Sequence, residues 1–206
     1  MDIRNQLDDP LPADSLLLAT NNIGKRREII RLLEKHPLNI VTPEKLKLEL
    51  TVSEDGSSYA ENAFLKAHAF AKAGDCLAIA DDSGIEVKAL GDRPGLYSAR
   101  YGSNDLDDLG RVELMLEEMK NVPKEKRLAR YVAAVILVWP SARYRLFEAS
   151  WEGSIGYECR GTGGFGYDPI FVTSDGRTSA ELTTKEKDLV SHRGKAVRES
   201  LKWLVG

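Results

Sequence analysis

Leu77-Ala78-Ile79-Ala80-Asp81-Asp82-Ser83-Gly84 joins a short apolar run to two adjacent carboxylates and a Ser-Gly pair. The run reads as a buried strand and the Ser-Gly pair as a turn. The carboxylates are therefore expected where a strand leaves the core, a frequent place for chemistry in α/β proteins. Half-buried carboxylates side by side repel each other and lose hydration, so they need a cation or strong donors close by. Magnesium is the natural partner of clustered hard oxygens. Side chains of an extended strand alternate, so the two carboxylates should not face one site equally.

The pattern around this stretch is that of a mixed sheet flanked by helices. Residues 15–19 (SLLLA) read as a first strand, 20–25 as a loop, and 26–35 as a helix with Ile29, Ile30, Leu32 and Leu33 on its buried stripe. A strand is expected at 38–41. A helix is expected at 59–73, where Tyr59, Ala63, Ala67 and Phe70 recur at helical spacing. Residues 85–90 read as a strand, 91–95 as a turn, and 106–120 as an amphipathic helix. Residues 129–139 and 144–155 read as long strands joined near Pro140-Ser141 in a hairpin. A glycine-rich loop at 161–166, a short strand at 170–172 and one or two helices across 184–204 complete the chain. Residues 1–14, polar and holding Pro10 and Pro12, read as a flexible N-terminal arm before a single bilobed domain over 15–206.

Composition narrows the class. With 206 residues and 42% hydrophobic content the chain can bury a sizeable core. A net charge of -3 gives no overall attraction for a nucleic-acid polymer. Cys76 and Cys159 form no CxxC pair and read as reduced thiols. The first fifteen residues carry four aspartates, so no signal peptide is expected. The longest apolar run, 132–139, is far shorter than the roughly 20 residues a membrane helix needs. The expectation is a soluble cytoplasmic protein with no membrane partner.

Several motifs carry chemistry, each beside a plainer reading. Thr20-Asn21-Asn22-Ile23-Gly24-Lys25 leads from strand to helix, but it lacks the first glycine and the final Ser/Thr of a Walker A loop. It can still hold an anion on backbone N–H groups at a helix start, or be a solvated turn with an asparagine cap. Gly161-Thr162-Gly163-Gly164-Phe165-Gly166 matches G-x-G-x-x-G literally. Tyr167-Asp168-Pro169 follows it instead of a helix, which rejects a dinucleotide fingerprint. A close approach to a flat ligand beside Phe165, or a tight turn, are the two readings. Glu61, Asn62 and Lys66 suit a helix start and its solvated face. Ser191-His192-Arg193-Gly194-Lys195, with Lys185 and Lys187 upstream, is a donor cluster or a basic helix start. With His36, His68 and His192 scattered, zinc is not indicated.

Taken in order, these pieces resemble the inosine triphosphate pyrophosphatase family. The pieces are residues 19–25, Glu61-Asn62-Ala63-Phe64-Leu65-Lys66-Ala67, the stretch 80–87 running on through Arg93-Pro94-Gly95-Leu96-Tyr97-Ser98-Ala99-Arg100-Tyr101, then 163–171, 180–182 and 191–195. The resemblance implies an α/β fold: an elongated mixed β-sheet flanked by helices, two lobes with an active-site cleft between them, in a homodimer. It implies Mg²⁺-dependent hydrolysis of ITP, dITP and XTP to a nucleoside monophosphate and pyrophosphate. Asp82 would be the proton acceptor and a metal ligand, with Glu54 and Glu61 as further ligands. Thr20, Asn21, Asn22, Ile23, Gly24, Lys25, Lys66 and Ser83 would hold phosphates. Phe165, Gly166, Tyr167, Asp168, Lys187, His192 and Arg193 would enclose the base. Departures are Ser53 at a frequent glutamate position, Asp92 for a glycine and Asp188 for an asparagine. A relative acting on modified pyrimidine triphosphates and a silent nucleotide sensor are the competing readings.

Overall fold

The computed structural model describes residues 15–34 and 36–205; the expected arm at 1–14 lies outside them. Seven strands form one mixed sheet in the order β2-β1-β3-β5-β6-β7, with β4 paired to β3. They are β1 (Ser15–Leu18), β2 (Asn39–Val41), β3 (Leu77–Val87), β4 (Arg93–Pro94), β5 (Leu128–Val138), β6 (Tyr144–Ile155) and β7 (Phe171–Val172). β1 runs parallel to both β2 and β3, whereas β4 on β3 and β7 on β6 are antiparallel. The helices are α1 (Ile23–Leu33), α2 (Tyr59–Gly74), α3 (Asp108–Met119), α4 (Thr184–Val190) and α5 (His192–Val205).

The chain divides into two compact units. The first takes the chain up to Asp82, Ala133–Ala149, and the chain from Arg193 onward; the second takes Ser83–Val132 and Ser150–His192. In the first unit, strand alternation sorts side chains onto two faces. Leu16, Leu18, Leu77 and Ile79 pack with Ile29 and Leu33 of α1 and Ala196, Val197 and Leu201 of α5. Leu17, Ala19, Ala78 and Ala80 pack with Ala63, Ala67, Phe70 and Ala71 of α2. The alanines on both sides of that second contact let α2 lie close to the sheet. The second unit has its own core, in which Ile85, Val87, Tyr131, Trp151 and Phe171 meet Val112, Met115 and Met119 of α3.

The differences from expectation that bear on the site fall at α1 and β3, while the turn expected at 91–95 contains β4 and the other ends shift by a residue or two. α1 begins at Ile23, three residues earlier than the apolar stripe suggests. Asn22 caps it by accepting the Lys25 backbone N–H at 3.0 Å. The Ser83-Gly84 turn is absent: β3 continues unbroken through the Asp pair to Val87. Ile85 and Val87 return to a core, and Glu86 and Val87 pair with β4, so packing and ladder bonds override the local turn preference.

Candidate functional site

The alternation that sorts the apolar residues also sorts the carboxylates. Asp81 has the parity of Leu77 and Ile79, and its side chain meets α1 and α5. Arg193 Nε donates to Asp81 Oδ2 at 2.9 Å, and Arg193 also donates to Glu28 of α1. Asp82 has the parity of Ala78 and Ala80 and meets α2. Asn62 Nδ2 donates to Asp82 Oδ2 at 3.1 Å, and Lys66 Nζ lies 3.5 Å from Oδ1. The amide of Asn62 is itself oriented, because its Oδ1 accepts the Gly56 N–H at 2.8 Å. Lys25, in the first turn of α1, reaches both carboxylates: Nζ is 3.5 Å from Asp81 and 3.6 Å from Asp82. The alternation expected for the pair therefore holds, and Lys25 is the group that spans it.

These charges are strongly coupled. Burial alone would raise the Asp81 carboxyl, but Arg193, Lys25 and Lys66 outweigh it and hold the group well below the ordinary range. Burial lowers the Lys25 ammonium despite the facing aspartates. Burial would also lower Lys66, yet Asp82 and Glu54 prevail and raise it. Glu54 Oε2 accepts from Lys66 Nζ at 2.9 Å. Across this network three cations (Lys25, Lys66, Arg193) face four carboxylates (Glu28, Glu54, Asp81, Asp82). A polyphosphate entering here would meet Asp82 and Glu54 as well as the lysines, so it needs a further cation.

A divalent cation fits the donors. Asp81 Oδ1 is buried and has no hydrogen-bond partner among the described residues, although its carboxylate is ionised. Among the described residues no group of three or more His, Cys, Asp or Glu side chains is gathered for a metal. Glu61 does not join the cluster. Its Oε2 accepts the Ser57 N–H at 2.7 Å and the Ser57 hydroxyl at 2.8 Å, so it belongs to the start of α2.

The loop 20–25 ends on the N-terminus of α1. Thr20 is buried and its Oγ1 accepts the Asn22 N–H; Asn21 Nδ2 donates to Leu50 O; Asn22, Ile23 and Gly24 lie at the helix start. Arg193, expected to help enclose the base, lies in α5. Its side chain is 3% exposed and engaged with two carboxylates of the first unit.

The second unit holds Ser83 and the other residues expected at the base. Asp168, buried, accepts the Phe165 N–H at 2.9 Å and the Lys187 ammonium at 2.5 Å through Oδ2. Lys187 Nζ also lies 5.2 Å from the centroid of the half-buried Phe165 ring. His192 stacks on Tyr131, with centroids 4.6 Å apart and planes within 7°. Tyr167 is buried instead of facing solvent, and its hydroxyl donates to Ser98 O at 2.9 Å. Gly164, at φ 76°, cannot be replaced freely, since a Cβ there would stand 1.9 Å from Asp168 Oδ2.

Glu28 and Asn62 are the site residues the motifs did not single out for a role. Asn62 had a signal: it lies four residues before Lys66, so two polar groups share one helix face that packs on the sheet. Glu28 had none, since its partner is 165 residues away.

Comparison with known proteins follows this geometry. A family model described as the Ham1 family matches residues 16–203. The dITP/XTP pyrophosphatase of Symbiobacterium thermophilum is 46% identical over 189 residues, covering 92% of this chain and 94% of that protein. The dITP/XTP pyrophosphatase of Escherichia coli is 45% identical over 186 residues, covering 89% of this chain and 94% of that one. A HAM1 protein from Coxiella burnetii superposes with a TM-score of 0.83 at 34% identity, covering 92% and 98%.

Proposed function

We propose that this chain, which belongs to the Ham1 family, hydrolyses the non-standard purine triphosphates ITP, dITP and XTP to the nucleoside monophosphate and pyrophosphate. The observation that carries the reading is Asp82: a nearly buried carboxylate aimed by Asn62 and flanked by two lysine ammonium groups. Such a group can accept a proton while neighbouring cations take up phosphate charge.

In this reading Asp82 takes the proton from a water that attacks phosphorus, the bridging bond between the α- and β-phosphates breaks, and pyrophosphate leaves. Lys25 and Lys66 offset the charge that collects on the leaving group. Thr20, Asn21, Asn22, Ile23 and Gly24 offer the α1 N-terminus to the phosphates, and Ser83 a hydroxyl. Asp82 and Glu54 are the oxygens that would hold Mg²⁺, which would supply positive charge beside the phosphates.

For the base, Phe165 offers a ring face, and Lys187, His192 and the backbone of 165–168 offer donors. A 6-oxo purine accepts such donors, whereas the 6-amino group of adenine would oppose them. A polar mismatch of that kind discriminates by about 10⁴. The resemblance also supports a cytoplasmic homodimer, which light scattering at micromolar concentration would check. Pyrophosphate release from ITP, XTP, GTP, ATP and dUTP, with and without Mg²⁺, tests the activity. Release confined to ITP and XTP and dependent on the metal is the expected result; preference for ATP, for dUTP, or no release from any would overturn it.

A further inference from the structure

We propose that Asp108, the first residue of α3, positions the 163–168 loop for the nucleobase by accepting the Gly166 N–H, with Arg111 steadying it. This rests on the nucleotide reading above and adds a residue to it.

Phe165 and Gly166 form the tip of the loop, and each backbone N–H is taken by a carboxylate. Phe165 N–H goes to Asp168, three residues on, inside the loop itself. Gly166, at φ 58°, turns its N–H out of the loop, and Asp108 Oδ2 accepts it at 2.8 Å from 58 residues away. Two consecutive peptide planes, 164–165 and 165–166, are thus each held by a carboxylate, the first by a buried one within the loop and the second by one on another element.

Asp108 is not needed to cap its own helix. That task falls to Asp107, whose side chain accepts the Gly110 N–H at 2.8 Å. The Asp108 carboxylate divides its oxygens: Oδ2 takes the loop, and Oδ1 takes Arg111 NH1 at 3.3 Å. Arg111 is largely buried, and its Nε has no hydrogen-bond partner among the described residues. Its guanidinium charge is felt at the neighbouring Tyr167, which is itself tied to Ser98. By donating to Oδ1, Arg111 steadies the Asp108 carboxylate whose Oδ2 accepts the Gly166 N–H. Asp108 touches neither Asp82 nor the lysines assigned to bond cleavage, so its loss should act on binding of the base and leave the chemical step alone.

The test uses the full chain as wild type, Asp108→Ala and Asp108→Asn. Asparagine keeps an oxygen able to accept the Gly166 N–H; alanine does not. Asp108→Ala is expected to raise KM for ITP about tenfold with kcat within about twofold. Amide hydrogen exchange across 163–168 should accelerate about tenfold while α2 and β5 exchange as in the wild type. Asp108→Asn, which keeps the acceptor for Gly166 but turns an amide donor toward Arg111, should restore both in part. Unchanged KM and exchange in Asp108→Ala would overturn the proposal. So would an asparagine variant as impaired as alanine, or faster exchange throughout the chain. If the wild type releases no pyrophosphate from ITP, the activity reading falls by itself, and the exchange comparison still decides the role of Asp108.

Discussion

Replacing Arg193 by alanine removes the guanidinium that lies between Glu28 and Asp81. Both carboxylates are buried, at 6% and 0% exposure, and the bond to Asp81 is 2.9 Å long. Taking one partner from a buried ion pair costs about 3–5 kcal/mol. Asp81 keeps Lys25 at 3.5 Å, so we place the loss at the lower end, about 3 kcal/mol at pH 7. At roughly 2–4 °C per kcal/mol for a chain of this size, the thermal midpoint should fall by on the order of 10 °C. The pH dependence has a definite sign. Burial works against ionised Asp81, but Arg193 and the lysines hold its carboxyl below the ordinary value of 3.8. Its ionised form therefore adds stability above that value, lost as pH falls through the depressed folded one. Without Arg193 the carboxyl rises and protonates earlier, which relieves the buried charge. The gap between wild type and variant should then narrow below about pH 4. Urea unfolding at pH 7, 5 and 3.5, beside kcat/KM for ITP, measures both quantities. A stability loss under about 1 kcal/mol, together with a hundredfold fall in kcat/KM, would refute the buried bridge and return Arg193 to reading the base.

Asp82→Asn keeps the shape and an acceptor oxygen but loses the proton acceptor; kcat for ITP should fall about 10³-fold. A kcat within threefold of wild type would remove Asp82 from that role. Gly164→Ala forces a side chain onto Asp168 Oδ2 at φ 76°, so ITP binding should weaken at least about tenfold and stability drop by about 1–3 kcal/mol, read by titration and urea unfolding. Arg127, 2% exposed, donates to four carbonyl oxygens, those of Met119, Val122, Ile155 and Gly156. Arg127→Met should cost about 3 kcal/mol by leaving acceptors unmet, and an unfolding midpoint equal to wild type would contradict that accounting.

Much of the fold was legible because its signals are periodic or local. Leu16, Leu18, Leu77 and Ile79 face one helix pair and Leu17, Ala78 and Ala80 another, as alternation requires, and the same rule separated Asp81 from Asp82 before any contact was known. Asn22 and Ser58 cap α1 and α2 where short polar residues precede helical spacing. The unbroken β3 was not legible, since Ser83-Gly84 looks like a turn and only Ile85 and Val87 returning to a core decides otherwise. The commitment of Arg193 to Glu28 and Asp81 was not legible either. Nothing local marks Glu28 among the charges of α1, and a guanidinium suits a base edge as well as a carboxylate. Asp108 was hidden for the same reason, because a carboxylate at a helix start is explained by the helix alone.

The register of β3 on β1 pairs Leu16 with Leu77, Leu17 with Ala78 and Leu18 with Ile79, and Ala19 N donates to Ile79 O at 2.8 Å. Asp81 follows two positions later. A single residue inserted or deleted between 77 and 81 would exchange the two carboxylates, presenting Asp82 to α1 and α5 and Asp81 to α2. Chain length is thus constrained here by chemistry as much as by packing. The turn at 139–143, where Ala142 sits at φ 67°, carries no such constraint. Length variants of this protein, natural or engineered, should gather at that turn and avoid the four residues, 77–80, that lead into the aspartates.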